Sequence, residues 1–174
     1  MIEALSPTVA DNNELMVAVT RLINVVYEES ERGLWHEAAA RTDLDEVTAL
    51  TRAGELVVAK RDDQLTGVVR VQRLDGDTGE FGMLAADPAL RGQGIGRDLV
   101  RFAEDTIRAS GRRHMQLELL VPRTWTLESK EFLAAWYDRL GYRLQRVGQI
   151  EESYPDLAPL LCTPADFRIY RKDL

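Results

Sequence analysis

Leu84-Ala85-Ala86-Asp87-Pro88-Ala89-Leu90-Arg91-Gly92-Gln93-Gly94-Ile95-Gly96-Arg97 is the stretch that decides how this chain is built. Its first residues are apolar and extended. They stop at Asp87-Pro88, because proline has no amide hydrogen to continue a strand ladder. Its last residues place glycine at every second position, Gly92, Gly94 and Gly96, directly before an amphipathic run. Glycines so spaced let the backbone turn tightly and gather successive N–H groups. The helix predicted from about Gly94 to Ser110 leaves its first amides unpaired at the positive end of its dipole. Such a turn suits a pyrophosphate. Ile95, Leu99, Phe102, Ala103 and Ile107 form the apolar stripe of that helix, while Arg97, Arg101, Arg108 and Arg112 lie along another face.

Glycine turns are common, and other phosphate motifs fit poorly. The dinucleotide pattern G-x-G-x-x-G fails from Gly92, where its last position is Arg97, and from Gly94, where it is Leu99. A P-loop fails because no Lys-Ser/Thr pair follows. The plain alternative is a tight turn feeding a helix with a solvated arginine face. Arg91, four residues beyond Asp87-Pro88 at a strand's end, favours the anion-binding reading.

Working outward, Ile2–Leu5 reads as a short strand, and Asp11 or Asn12 caps a helix carrying Leu15, Val19, Leu22, Ile23 and Val26. A second helix fits Asp43–Ala53. Glu55–Lys60 and Leu65–Leu74 form a hairpin across Asp62-Asp63-Gln64, Asp75–Gly79 is a turn, and Glu80–Ala86 is the next strand. After the glycine turn and its helix come strand His114–Val121, a loop with Pro122 and Trp125, and helix Ser129–Leu140. Strands Tyr142–Ile150 and Phe167–Arg171 follow, separated by a loop with Pro155, Pro159 and Pro164. The unit Glu80–Val121 is expected as a right-handed parallel crossover. No repeat or linker divides residues 1–174, which read as one α+β domain around a mixed sheet.

Composition bounds the chemistry. The 174 residues are 45% hydrophobic and hold 22 Lys/Arg against 29 Asp/Glu, a net charge of −7. An acidic chain is a poor nucleic-acid binder, since that affinity rests on neutralising phosphates. Between Arg91 and Arg113, six arginines oppose three acids. A small positive patch on an acidic body suits a small anion better than a long polyanion. No apolar run approaches a membrane span, and the start, Met1–Pro7, lacks the features of a signal peptide. The single Cys162 and two histidines leave no disulfide and no evident metal site. A cytoplasmic chain without membrane or nucleic-acid partners is expected.

The segment Leu84–Gly96 resembles the acetyl-CoA motif of the GCN5-related N-acetyltransferase (GNAT) superfamily, Arg/Gln-x-x-Gly-x-Gly/Ala after a strand. Ala135-Trp136-Tyr137-Asp138-Arg139-Leu140-Gly141-Tyr142 is similar to that family's Tyr-x-x-x-Gly-Phe/Tyr element. The flanking elements follow the family order, so the resemblance covers nearly the whole chain. It implies a three-layer fold with a central mixed sheet of about seven strands and about four helices. It also implies acetyl-CoA as cosubstrate, without a metal. The pantetheine arm would lie along the backbone of Leu84, Ala85 and Ala86. The pyrophosphate would meet the amides of Arg91, Gly92, Gln93, Gly94, Ile95, Gly96 and Arg97, with the arginine side chains adding charge-assisted bonds.

Tyr137 matches the family's general acid. Attack of an amine on a thioester expels a thiolate whose thiol has a pKa near 8.5, and a hydroxyl within reach can protonate it. The attacking amine must first lose its own proton. Glu80 sits where many members place a glutamate for that purpose, and Glu118 on the next strand is the second candidate. The plainer readings are a core aromatic for Tyr137 and solvent-facing strand glutamates for the others. His114 reads as structural. Many members carry an asparagine about six residues before the tyrosine, where this chain has Lys130 and Glu131.

Acceptor choice in this fold comes from the N-terminal helices, the loop after the fifth strand and the C-terminal hairpin. Here these supply Glu28, Glu29, Glu31, Trp35, Trp125, Tyr154 and Glu151-Glu152, with Trp35, Glu118 and Trp125 the leading substrate contacts. Acidic and aromatic groups favour a cationic amine, so a small-molecule primary amine is expected. The alternatives are acetylation of a protein amine, a CoA-sensing module without catalysis, and an interaction protein keeping only the fold. A homodimer is common in the family, though no residue here demonstrates one.

Overall fold

The computed structural model describes residues 1–36, 40–74 and 76–174. Its strands are β1 (Ile2–Ala4), β2 (Leu56–Arg61), β3 (Gln64–Arg73), β4 (Thr78–Ala86), β5 (His114–Pro122), β6 (Arg143–Gly148) and β7 (Ala165–Asp173). Its helices are α1 (Asn13–Ser30), α2 (Leu44–Arg52), α3 (Ile95–Ala109), α4 (Glu128–Arg139) and the single turn α5 (Ile150–Ser153). The strands form one sheet in the order β1-β2-β3-β4-β5-β7-β6. Among the described residues only β4 and β5 pair in parallel, across the crossover through α3. This is the three-layer architecture around a seven-stranded mixed sheet that the resemblance implied.

Strand β2 shows why the chain forms layers. Leu56 and Val58 face α1 and α2, while Val57 and Ala59 face α3, and all four are buried. A strand covered on both faces reads as a continuous apolar run rather than an alternating one. Helix α1 presents Met16, Val19 and Ile23 to its side of the sheet, starting from the cap that Asn12 Oδ1 makes with the Leu15 amide at 3.1 Å. Helix α3 buries Leu99, Ala103 and Ile107 on the other side, with Val100 beside them. It comes so close to β4 that a Cβ at Gly79 would lie 2.4 Å from Ile107 Cδ1.

Several boundaries depart from the sequence reading. Gly79 belongs to β4, which begins at Thr78, so that part of the expected turn is strand; Asp75 lies outside the described residues. The expected strand Tyr142–Ile150 is shorter, because Tyr142 turns inward as core and Ile150 starts α5. Strand β6 is an exposed edge, buried only at Gly148. The hairpin between β2 and β3 turns at Asp62 and Asp63, both at positive φ.

The feature that positions the site is a parting of the sheet. Pairing between β4 and β5 ends at Glu80 and Gln116, although β4 continues to Ala86 and β5 to Pro122. Just beyond that point β4 carries a bulge: Arg70 of β3 faces Gly82 but Val68 faces Ala85, and Met83 takes φ +48°. A bulge adds a residue to one strand and bends it away from its neighbour. The gap opens between the core under α3 and α4 and the core under α1 and α2.

Candidate active site

The opening between β4 and β5 is a cleft of about 900 Å³. Its walls are Gly82, Met83, Leu84 and Ala86 on β4, Glu118, Leu119 and Leu120 on β5, the end of α1, and Leu133, Trp136 and Tyr137 on α4. Its floor at one end is Arg91, Gly92, Gly94, Ile95, Gly96 and Arg97.

At that end the donors are backbone amides. Asp87 Oδ1 caps the short turn Pro88–Leu90 by accepting from the Ala89 amide at 2.9 Å. Gly94 then takes φ +83°, a conformation glycine adopts without strain, and caps α3 without any side-chain acceptor. The first bond within α3 is Asp98 N–H to Gly94 O at 3.0 Å. The amides of Gly92, Gly94, Ile95, Gly96 and Arg97 therefore have no acceptor among the described residues. The amides of Arg91 and Gln93 are already taken by Pro88 O and Leu90 O. Gln93 turns out of the cleft to accept from Arg61 Nη1. Ala85, 1% exposed, has its side chain in the core under α1. Unpaired amides at a helix N-terminus, with Arg91 and Arg97 beside them, form a cradle for a phosphate or pyrophosphate.

Tyr137 projects from α4 into the middle of the cleft and is 6% exposed. Its ring is wedged among Phe81, Trp136 and Tyr142, with centroids 5.1 to 6.1 Å away. Its hydroxyl makes no hydrogen bond to another described residue, and burial pushes its pKa well above the usual phenol range. The proton stays on the oxygen at neutral pH. Tyr142 is different: its hydroxyl donates to the buried Glu104 at 2.7 Å, beside Lys172 at 2.9 Å.

On the α1 side of the gap lies a carboxylate chamber. Glu80 is 6% exposed, so it is not a solvent-facing strand residue. Register explains its setting, since Gln72 opposes it on β3 and Gln116 pairs with it on β5. The two side-chain amides donate to its two oxygens at 2.5 and 2.7 Å. Gln72 is oriented in turn by Arg70, which donates to its carbonyl at 2.7 Å and to Glu55 at 2.7 Å. Two residues beyond Gln116, Glu118 accepts from the Tyr154 hydroxyl at 2.9 Å. Burial, and secondarily the charge of Glu80, push the Glu118 carboxyl up to about 7.

The mouth is bridged by a buried ion pair. Lys130 Nζ lies 2.5 Å from Glu31 Oε1, with the side chains 4% and 8% exposed. Glu31 Oε2 also accepts from Trp35 Nε1, and Ser129 donates to Ser30 O. This is what occupies the position where the resemblance expected an asparagine. The pair fixes α1 to α4 across the cleft and seats Trp35 on its wall. Trp125 lies outside the cleft, donating to Thr163 at 3.0 Å. Glu152 is bound to Arg146 beyond the chamber, and His114 to Asp173 at the far end of β5. Sequence reading missed Tyr27, Arg41, Gln72 and Gln116, all of which reach this site through register or long-range packing. Among the described residues, no group of His, Cys, Asp and Glu is arranged to hold a metal, and no helix is long and apolar enough to cross a membrane.

Residues 52–144 match the model of the acetyltransferase (GNAT) domain family. No curated protein matches the chain in sequence. Among solved structures it resembles an aminoglycoside 6'-N-acetyltransferase complexed with coenzyme A, at 16% identity and TM-score 0.70, over 99% of this chain and 96% of that one. A GNAT-family acetyltransferase structure from Desulfovibrio desulfuricans aligns over 99% and 98% at 19% identity and TM-score 0.67. A ribosomal-protein-alanine N-acetyltransferase from Brucella melitensis aligns over 100% and 99% at 18% identity and TM-score 0.66. At these identities the likeness shows the fold.

Proposed function

The chain belongs to the GNAT acetyltransferase family, and on that premise we propose that it moves the acetyl group of acetyl-CoA to the primary amine of a small molecule. The transfer is by direct attack within a ternary complex. One observation carries this reading: a single cleft joins unpaired amides at the α3 N-terminus, a buried unbonded tyrosine hydroxyl, and two carboxylates on the opposite sheet face.

The residues fit the cosubstrate. The amides of Gly92, Gly94, Ile95, Gly96 and Arg97 would hold its pyrophosphate, with Arg91 and Arg97 adding charge. The unpaired edge of β4 at Leu84, Ala85 and Ala86 would receive the pantetheine amides as an added strand. When bound, acetyl-CoA supplies an activated acyl group and a thiolate leaving group.

The carboxylates divide the work at the amine. Glu80, its oxygens fixed by Gln72 and Gln116, draws the ammonium into the chamber. Glu118 titrates near neutral pH and takes the proton that the amine must lose. Tyr137 keeps its proton until charge develops on the departing sulfur, then donates it. Burial raises the proton affinity of a departing thiolate as well, which favours the transfer. No cysteine nucleophile takes part, as Cys162 lies outside the cleft with its thiol turned to Gly33 O.

Turnover is read as free thiol released from acetyl-CoA with a panel of primary amines, together with the acetylated amine by mass spectrometry. Amine-dependent thiol release that Glu80→Gln reduces supports the proposal. Cosubstrate binding without thiol release for any small amine would instead favour a sensing module or a protein acceptor.

A further inference from the structure

The chamber that receives the amine is not uniformly acidic. Cations line it too, and they differ in how they are engaged. Arg70 is held by Glu55 at 2.7 Å, and Lys130 by Glu31 at 2.5 Å. Arg41, by contrast, has no carboxylate within salt-bridge distance among the described residues. Its guanidinium instead lies over the Tyr27 ring, 5.2 Å from the centroid, on the cleft wall facing Glu118 and Tyr154.

Its placement is anchored. The neighbouring Thr42 is clamped to α1 by two bonds with Asn24: Asn24 Nδ2 donates to Thr42 O at 2.9 Å, and Thr42 N–H donates to Asn24 Oδ1 at 3.0 Å. Thr42 also donates through its hydroxyl to Glu46 at 2.7 Å. Tyr27 stands one helical turn beyond Asn24, so the clamp and the stacking platform belong to the same rigid helix. The contact with the Tyr27 ring holds the guanidinium at the cleft wall. A planar fork so held suits a carboxylate, which accepts two parallel bonds from it.

We infer that the acceptor is an amino acid-like zwitterion, its amine set between Glu80 and Glu118 and its carboxylate bound by Arg41. This deepens the acetyltransferase reading and rests on it. A purely cationic amine would satisfy the carboxylates but would place its positive charge near the Arg41 guanidinium. A zwitterion answers both signs, and Arg41 then selects among amines by their acid group.

The test uses matched acceptors differing only in that group: glycine, β-alanine, 4-aminobutyrate and 5-aminovalerate against their carboxamides, by thiol release with the intact protein. At least one acid should exceed its amide by about 10- to 100-fold in kcat/KM, mainly through KM, as a hydrogen-bonded charge contributes. Arg41→Gln should remove that preference, so that acid and amide are turned over alike, and Arg41→Lys should restore part of it. Amides turned over as well as acids, or Arg41→Gln slowing both equally, would overturn the inference. So would acetyl-CoA binding with no turnover of any acid. Failure of acetyl-CoA to bind at all would overturn the acetyltransferase reading itself, and a thermal-shift titration run beside the assay separates the two failures.

Discussion

The two ends of the cleft are built by different means. The proposed phosphate end is one continuous segment, Asp87–Arg97, whose donors are backbone amides exposed by a turn and a helix start. The carboxylate end draws on β3, β4, β5, α1 and the segment before β7, and its working groups are side chains. Glu80 is held in place because Gln72 and Gln116 fall opposite it in register. A backbone cradle tolerates change in most side chains, whereas a side-chain chamber can be altered one residue at a time. Substitutions should therefore separate the ends: damage at the turn should abolish cosubstrate binding, and damage in the chamber should spare it.

The largest effect is expected where the two ends meet. Tyr137→Phe should lower kcat by about 10²- to 10⁴-fold, the range for loss of a general acid. Acetyl-CoA binding should stay within a few-fold of wild type. Unchanged turnover across pH would remove Tyr137 from the chemistry and leave it as core.

The bridge between α1 and α4 should come next. Removing one partner of a buried pair strands a charge, so Lys130→Met is expected to lower stability by about 3–5 kcal/mol in urea unfolding. The double variant Glu31→Gln/Lys130→Met should recover much of that. If the single and double variants are equally unstable, packing rather than charge holds the mouth together.

The legibility of the two ends follows their construction. Gly92, Gly94, Gly96 and the strand before them are adjacent in sequence, and adjacency was enough to place them at one strand-to-helix junction. Tyr137 stood out through Gly141 and Tyr142, which follow it on the same segment. The β4–β5 gap was not legible, because it arises from a bulge at Met83 and a pairing that stops after Glu80. Gln72, Gln116 and Tyr27 were not singled out, because no local pattern marks residues that meet only through register and packing. Lys130 registered only as a departure from a motif, since its partner Glu31 is 99 residues away. Trp125 drew notice as an aromatic in the right loop, but it packs at Gly33 and Thr163 instead.

The smallest effect concerns Glu118 and sharpens the contrast through pH. Its raised carboxyl keeps a proton in the folded chain where the unfolded chain has lost it. That contribution to stability is complete below the ordinary carboxylate range and is lost as pH rises through about 7. Glu118→Gln should therefore gain a few degrees in Tm relative to wild type between pH 5 and pH 8. In kcat/KM the wild-type rise through about pH 7 should flatten in the same variant. A Tm difference that does not change with pH would mean Glu118 titrates normally.

The central claim is that one cleft holds acetyl-CoA by the amides of the α3 N-terminus. It is tested most directly by titrating acetyl-CoA against thermal unfolding for the wild-type chain and for Gly94→Glu/Gly96→Glu. A ligand that binds only the native state must raise its Tm, by about 2.7 kcal/mol of added stability at a hundredfold excess over Kd. A saturable rise in the wild type, absent from the double variant at matched starting stability, is the predicted result. An equal rise in both, or none in either, would contradict the account.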